Sequence, residues 1–351
     1  MSESQQALII PSPKAPYVVG PLPIPVPAQG EVRIKVMSVG LNPMNNMQHH
    51  MGLFMPEYPA VIGSDIAGVV DEVGEGVQGF KKGDEVFVQT MYGGFQQYTV
   101  VPAGTLIRKP KNISFDEAAT FPITFTTACV GLFAPEPIGP GLNPTFSWDK
   151  PHKGESAFVI GGGTSVGQFA VQLFKFLGFT RIVVYASNSH FDYLKELGAT
   201  EFIDRKDVPV ENLVVKPPVK VVYDCAGSLD AAVDSVVDGG IVSTANPRAK
   251  PTRDYAARKI TFNSHFGFYA GPELMKPLGD PAHYPSRPEH TEFGKILIRE
   301  LPKLIEQGLV VGNRVEVLHN GVAGVPDALD RLAAGGVSGV KLVAHPQESV
   351  A

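Results

Sequence analysis

A chain of 351 residues is longer than one ordinary domain and points to two. Its 44% hydrophobic and 19% charged residues are those of a globular protein in water, and a formal charge of −5 without a long Lys/Arg run speaks against nucleic acid or an anionic membrane surface as partner. Two cysteines (Cys129 and Cys225), no apolar stretch of bilayer length and a polar Met1–Gln6 without leader character make a cytoplasmic protein the expectation, with neither a disulfide scaffold nor a cysteine-rich metal lobe.

Seven prolines from Pro11 to Pro27 predict an extended lead-in, because proline fixes φ and lacks an N–H. Glu31–Val36 alternates polar and apolar, the period of a half-buried strand. Ala67–Val73, Glu85–Val88, Gly94–Val101 and Thr105–Arg108 are further short strands, cut by turns at Gly74–Gly79 and Gly83, and together they predict a small barrel or sandwich. Ser114 followed by Asp116 and Glu117 opens a helix that runs into an apolar stretch ending at Phe133. Residues 134–152, rich in Pro and Gly and holding the only tryptophan, Trp148, read as a long loop. From 156 the pattern alternates. Strand Ala157–Ile160, helix 168–178, strand Arg181–Ala186 and helix Phe191–Leu197 are followed by strands Glu201–Ile203 and Val219–Tyr223, helix Leu229–Val237 and strand Gly240–Ser243. That order predicts a doubly wound parallel sheet. Helix Glu292–Gln307, strand Arg314–Val317, helix Val325–Ala334 and strand Lys341–Ala344 complete the chain.

The turn VIGGGTSVG (159–167) lies between the first of these strands and its helix. Glycines there let the backbone approach a pyrophosphate, and the helix N-terminus offers N–H groups and a positive dipole end. Thr164 stands where the strict fingerprint has its middle glycine, so the setting carries more weight than the motif. Gly161, Gly162, Gly163, Thr164, Ser165, Val166 and Gly167 are thus the expected dinucleotide contacts. An acid that grips the adenine ribose is expected about 20 residues further on. That segment here is Ser187-Asn188-Ser189, whose small polar side chains leave room for a 2′-phosphate, with Arg205 and Lys206 near enough in sequence to supply charge. The pattern predicts NADP(H), although a solvated loop without an acid fits it too.

The segments GEVRIKV (30–36), GLNPMN (40–45), PAVIGSDIAGVVDEVGEGV (59–77), KKGDEVF (81–87), GGFQQYTVV (93–101), FPITFTTA (121–128), FDYLKELGA (191–199), YDCAG (223–227) and SGVKLV (338–343) resemble those of the medium-chain dehydrogenase/reductase superfamily. The similarity is greatest to its zinc-free enoyl and quinone reductases, among them the stand-alone enoyl reductases that assist fungal polyketide synthases. The resemblance implies an α/β protein: a GroES-like β-rich catalytic domain from residues 1–125 and 290–351, and a Rossmann NADP(H)-binding domain from 126–289, with the active site in the cleft between them. It implies cofactor contacts at Thr127, Cys225 and Lys341, although a helix-terminal Thr pair and an exposed lysine fit the first and last equally well. Zinc members carry Gly-His-Glu where this chain has Gly63-Ser64-Asp65, and a cysteine where it has Asn42. Ser and Asn are poor zinc ligands, so no metal is expected. His49 and His50 are sequence neighbours that do not readily face one ion, and read as surface or pocket-lining.

Without a Lewis acid, hydride delivery to an activated C=C is easier than oxidation of an alcohol. The resemblance therefore implies reduction of an enone, an enal or an enoyl thioester, the last on a small molecule or a synthase carrier domain. A quinone reductase, or a non-catalytic NADPH-binding partner of a synthase, remains open. The fungal relatives often carry a lysine where this chain has Met47, and methionine donates no proton. Tyr58, Tyr92, His49 and solvent are the remaining candidate proton donors. The Met- and Phe-containing run Met44–Met55 reads as an adaptable apolar pocket or as core.

Overall fold

The computed structural model describes residues 3–55, 57–246, 249–265, 267 and 288–348. The expected nucleotide-binding segment therefore has stretches, chiefly 268–287, that lie outside the described residues. Two large sheets organise the rest.

β1 (Ser4–Ile9) and β2 (Val18–Pro23) pair antiparallel. The prolines that predicted only an extended lead-in thus sit partly in a paired strand. Pro21 and Pro23 are accommodated because β2 is an edge strand, where a missing N–H costs no ladder bond. β3 (Glu31–Gly40) alternates half-buried and buried positions before becoming fully buried at its end. It pairs with β4 (Asp65–Val73), which pairs with β5 (Glu85–Gln89), and on its other flank with β6 (Tyr98–Pro102). β7 (Ile107–Arg108) adds to β5. Between β3 and β4 the chain forms α1 (Pro43–Met51), which the sequence reading took as part of an apolar run. Its signal was Pro43 at the first helical position, where the missing N–H is harmless. The short α2 (Phe115–Ala118) has a capping box between Ser114 and Glu117, and α3 (Pro122–Phe133) follows.

The second sheet is wholly parallel. β8 (Ser156–Ile160), β9 (Arg181–Ala186), β10 (Glu201–Asp204), β11 (Val219–Asp224), β12 (Val236–Thr244) and β13 (Thr261–Ser264) lie in the order β10-β9-β8-β11-β12-β13. Relative to the first strand this is the 3-2-1-4-5-6 order of a doubly wound dinucleotide fold, with its switch point between β8 and β11. α4 (Ser165–Leu177), α5 (Phe191–Leu197) and α6 (Leu229–Ser235) are the crossovers. α6 ends two residues earlier than its pattern suggested, because the β-branched Val236 and Val237 open β12 instead.

α7 (Pro288–Glu306) then buries Phe293, Leu297, Leu301 and Leu304 in the same core as α3, α4 and one face of the parallel sheet. β14 (Val315–Val317), α8 (Val325–Ala333) and β15 (Lys341–Ala344) return the chain to the first sheet, β15 lying antiparallel to β3. That sheet closes over its own core of Val32, Ile34, Ile66, Val70, Val86 and Val88, to which α8 contributes Val325 and Leu329. α3 lies against both sheets, and every residue in it except Thr127 is buried.

Beyond β15, His345 bonds Asp116 at 2.8 Å and Glu348 at 2.9 Å, pinning the chain end to α2. Burial opposes protonation of this imidazole, but the bonds to Glu348 and Asp116 and their charges outweigh it and raise its pKa above 6.5. The protonated ring therefore favours the folded state. Its contribution is complete below the unfolded value and is lost as pH rises through the raised folded value. Thermal unfolding of H345Q is expected to fall short of the native protein by more at about pH 5.5 than at about pH 9.

Candidate cofactor cleft and active site

At the end of β8 the backbone turns through Gly161, whose φ is +84°, and enters α4. Thr164 is the N-cap of α4: its Oγ1 accepts from Gly167 N at 3.0 Å and donates to Gly161 O at 2.8 Å. The departure from the glycine fingerprint is thereby explained, since threonine satisfies a helix-end amide that glycine could not. Gly167 is needed for a close approach: a Cβ there would fall 2.4 Å from Gly161 O. Gly162 is equally constrained, 2.2 Å from Val184 Cγ1. Cys225 lies across the switch point, its N–H donating to Ile160 O at 2.9 Å. Burial pushes its thiol pKa well up, Asp224 adding to the effect and a bond with Thr164 opposing it. Gly161, Gly163, Ser165 and Val166 retain partial exposure at this crevice, and Thr164 is exposed. The geometry is that of a cradle for a pyrophosphate at a helix N-terminus.

The segment after β9 brings Ser187, Asn188 and Ser189 to the surface, and Arg205 is tied beside them by its N–H to Ala186 O at 3.0 Å. One carboxylate is close: Asp204 stands opposite Ala186 in the register, but its Oδ1 accepts from Lys206 N at 3.0 Å. His190, absent from the sequence candidates, is wedged behind this loop. Its Nε2 meets Ser338 Oγ at 2.8 Å, joining the parallel-sheet domain to the segment before β15. Burial, then the charges of Arg314 and Arg205, lower its pKa, so the ring is neutral in the folded protein at neutral pH.

Thr127, the only residue of α3 with exposure, donates its hydroxyl to Ile123 O at 2.6 Å. Its carbonyl accepts from Tyr223 OH at 3.0 Å and lies 3.0 Å from His265 Nε2. His265 is buried, and that burial depresses its pKa to about 4.

Lys341 is buried, which corrects the expectation of an exposed lysine. It is 3% exposed, and its Nζ lies 2.7 Å from Asp65 Oδ2 and 2.6 Å from Asn42 Oδ1. Asn42 Nδ2 in turn donates to Asp65 Oδ2 at 2.9 Å. A buried polar chain continues from the Asn42 N–H to Asn45 Oδ1, from Asn45 to Gln48, and from Gln48 Nε2 to Met91 O at 3.0 Å. Nothing in the sequence marked this network, because its partners come from four separated segments.

Among the proton-donor candidates, His49 is engaged elsewhere. Its Nε2 meets Ala15 O at 2.8 Å and its ring lies 4.1 Å from that of Tyr17. Met47 is 44% exposed. Tyr92 and Tyr58 are different. Met91 and Ile123 form a small buried apolar cluster against which Met44, Phe54 and Tyr92 pack. The Tyr92 hydroxyl is buried and finds no hydrogen-bond partner among the described residues, as is also true of Ser64 Oγ and Gln89 Oε1. Burial, with a smaller contribution from Tyr58, raises the Tyr92 pKa, so it is a neutral O–H donor. Among the described residues no group of three or more His, Cys, Asp or Glu side chains is arranged to hold a metal ion.

The parallel-strand order, the glycine cradle and the adjoining β-rich sheet define a two-domain oxidoreductase that uses a nicotinamide cofactor. The chain belongs to the medium-chain dehydrogenase/reductase superfamily. The model of the alcohol dehydrogenase GroES-like domain matches residues 28–111 and that of the zinc-binding dehydrogenase residues 165–266. The trans-enoyl reductase tndF of Aspergillus flavipes is 34% identical, covering 98% of this chain and 99% of its own. The trans-enoyl reductase tazE of Aspergillus terreus is 37% identical over 61% of this chain and 73% of its own. Among solved structures, the cobalt- and zinc-bound thermostable alcohol dehydrogenase from Pyrobaculum aerophilum shares the fold, with a TM-score of 0.75 at 22% identity over 98% of this chain and all of that one.

The contact of Gly167 with the turn gives a direct test. Gly167→Ala must push α4 off Gly161 O, and is expected to weaken binding of the reduced nicotinamide cofactor by about tenfold or more in a fluorescence titration, with a lowered thermal midpoint.

Proposed function

We propose that the protein is an NADPH-dependent reductase of an activated C=C bond, in an enone, an enal or an enoyl thioester, and that it works without a metal ion. The observation that carries this reading is the buried, unpartnered Tyr92 hydroxyl beside the apolar cluster of Met44, Phe54, Met91 and Ile123. A donor without a partner in a dry, apolar setting is suited to a carbonyl oxygen on which charge develops. The full-length likeness to a trans-enoyl reductase supports the same reaction class.

In this reading residues 1–125 and 290–351 supply the catalytic domain and 126–289 the cofactor domain. The turn Gly161–Gly167 holds the pyrophosphate, Cys225 faces it across the switch point, and Thr127 stands toward the nicotinamide end. Ser187, Asn188, Ser189 and Arg205 receive the 2′-phosphate. Placing Arg205 at the edge of that loop, while Asp204 is engaged by Lys206 N, supports NADP(H) over NAD(H). When bound, the dihydronicotinamide supplies the hydride. Tyr92, with Tyr58 beside it, hydrogen-bonds the acceptor carbonyl, polarises the double bond and stabilises the enolate. The enolate carbon is then protonated by a tyrosine or by water. The buried Lys341 ammonium at Asn42 and Asp65 supports the metal-free reading, because a fixed cation already occupies the carboxylate there. An enoyl thioester would arrive as a small molecule or on the carrier domain of a separate synthase.

Oxidation of NADPH and NADH should be followed with crotonyl thioesters, 2-alkenals and benzoquinones. Turnover with the first two at NADPH preference is expected. Turnover with quinones alone would move the protein to quinone reduction, and tight NADPH binding without any turnover would make it a non-catalytic partner. Tyr92→Phe, which keeps the ring and removes the donor, is expected to lower kcat about 10- to 100-fold with little change in NADPH affinity. Arg205→Ala is expected to raise the NADPH dissociation constant about tenfold and leave that of NADH nearly unchanged.

A further inference from the structure

α3 begins without a cap of its own. Its N-cap position is Phe121, whose side chain accepts no hydrogen bond, and Pro122 follows without an N–H. The first amide of the helix, that of Ile123, donates instead to Asp65 Oδ1 at 2.7 Å, from a strand 58 residues earlier. Asp65 is fully buried, and its other oxygen is held by Lys341 and Asn42. The Ile123 carbonyl then accepts the Thr127 hydroxyl at 2.6 Å. One line of hydrogen bonds thus runs from Lys341 through Asp65 and Ile123 to the single residue of α3 that is not buried.

The partner strand strengthens this arrangement. Gln89 is directly opposite Asp65 in the β4–β5 register, and its Nε2 donates to Gly267 O at 2.8 Å. Gly267 itself lies against Thr127, since a Cβ there would overlap Thr127 Oγ1. A single cross-strand pair of the β-rich sheet therefore holds both sides of Thr127.

We propose that Asp65 is a positioning residue that caps α3 from strand β4 of the β-rich sheet and thereby sets the Thr127 hydroxyl against the cofactor. A carboxylate on the positive end of the helix satisfies an amide that has no local acceptor. Lys341, 2.7 Å from its other oxygen, holds that carboxylate in place. The hydroxyl of Thr127, with its hydrogen committed to Ile123 O, presents lone pairs and not a donor to the cleft. The proposal rests on the reductase reading for its kinetic test but not for its structural one.

Two double variants separate the cap from the charge. D65N/K341M removes both charges but keeps an oxygen for Ile123 N–H; its new amide N–H₂ stands where Asp65 Oδ2 accepted from Asn42 Nδ2, and the Asn42 amide, released by Lys341, turns over to offer Oδ1 to it. D65L/K341M is also charge-balanced, and apolar replacement of a buried ion pair is usually tolerated, but it offers Ile123 no acceptor. D65A/K341M takes its place if the leucine does not pack. The cap predicts that D65N/K341M keeps kcat within about threefold of native, whereas D65L/K341M loses about tenfold or more, with KM and NADPH affinity within about threefold in both. Amide exchange over residues 121–133 is expected to quicken only in the variant without the acceptor. Equal turnover in the two variants, equal losses in both, or equal exchange would overturn the proposal. If the native protein reduces no acceptor, the reductase reading fails, and the exchange comparison alone decides the cap.

Discussion

A carboxylate and an ammonium, both withdrawn from water, stand at the junction of the two domains. Asp65 and Lys341 would each be costly to bury alone. They are tolerated because every oxygen of Asp65 is bonded, to Lys341, Asn42 and the Ile123 amide. The arrangement needs three parts of the chain at once: the end of β3 with Asn42, the start of β4, and β15 arriving antiparallel to β3. The return of the C-terminal segment to the first sheet is therefore linked to the position of α3, and α3 underlies the parallel sheet. Removing one partner would leave an unpaired charge in the interior, which is why the pair acts as a constraint on the fold as much as a bond within it.

The same junction shapes the chemistry of the cleft. Where the zinc members of the superfamily place a metal and its ligands, this chain has Ser64, Asn42 and a carboxylate already neutralised by lysine. Beside them lie an apolar cluster and a tyrosine hydroxyl that no described residue satisfies. In the proposed reaction, electrostatic help for a developing enolate would come from neutral O–H dipoles in an apolar setting, where a hydrogen bond is stronger than at the surface. His190 and Gln89, one behind the Ser187–Ser189 loop and the other near Thr127, tie the domains together. These interdomain hydrogen bonds hold the crevice in shape.

Much of the architecture was readable from local pattern. Strands Arg181–Ala186 and Lys341–Ala344 and helix Phe191–Leu197 coincide with their predicted ends, since alternation, helical period and a glycine stop are all local signals. The errors were local signals overridden. Prolines that argued for a loose lead-in are carried by an edge strand, and two valines that continued a helical pattern joined β12. α1 was obscured because its buried face is polar: Asn45 and Gln48 point inward to the network while Met47 and Met51 face solvent. Hydrophobic periodicity cannot detect a helix whose core side is made of amides.

For the site the division is similar. The sequence by itself determined the glycine cradle, the polar loop at Ser187–Ser189 and the absence of good zinc ligands at Ser64 and Asn42, because each is a short run whose residue types state their chemistry. It also singled out Tyr92 among several candidates without a means of choosing. Only the tertiary structure decided that His49 is spent on Ala15 and that Lys341 is paired with Asp65. Those outcomes depend on partners as far as 276 residues apart, brought together by sheet pairing, and no neighbouring residue carries a trace of them.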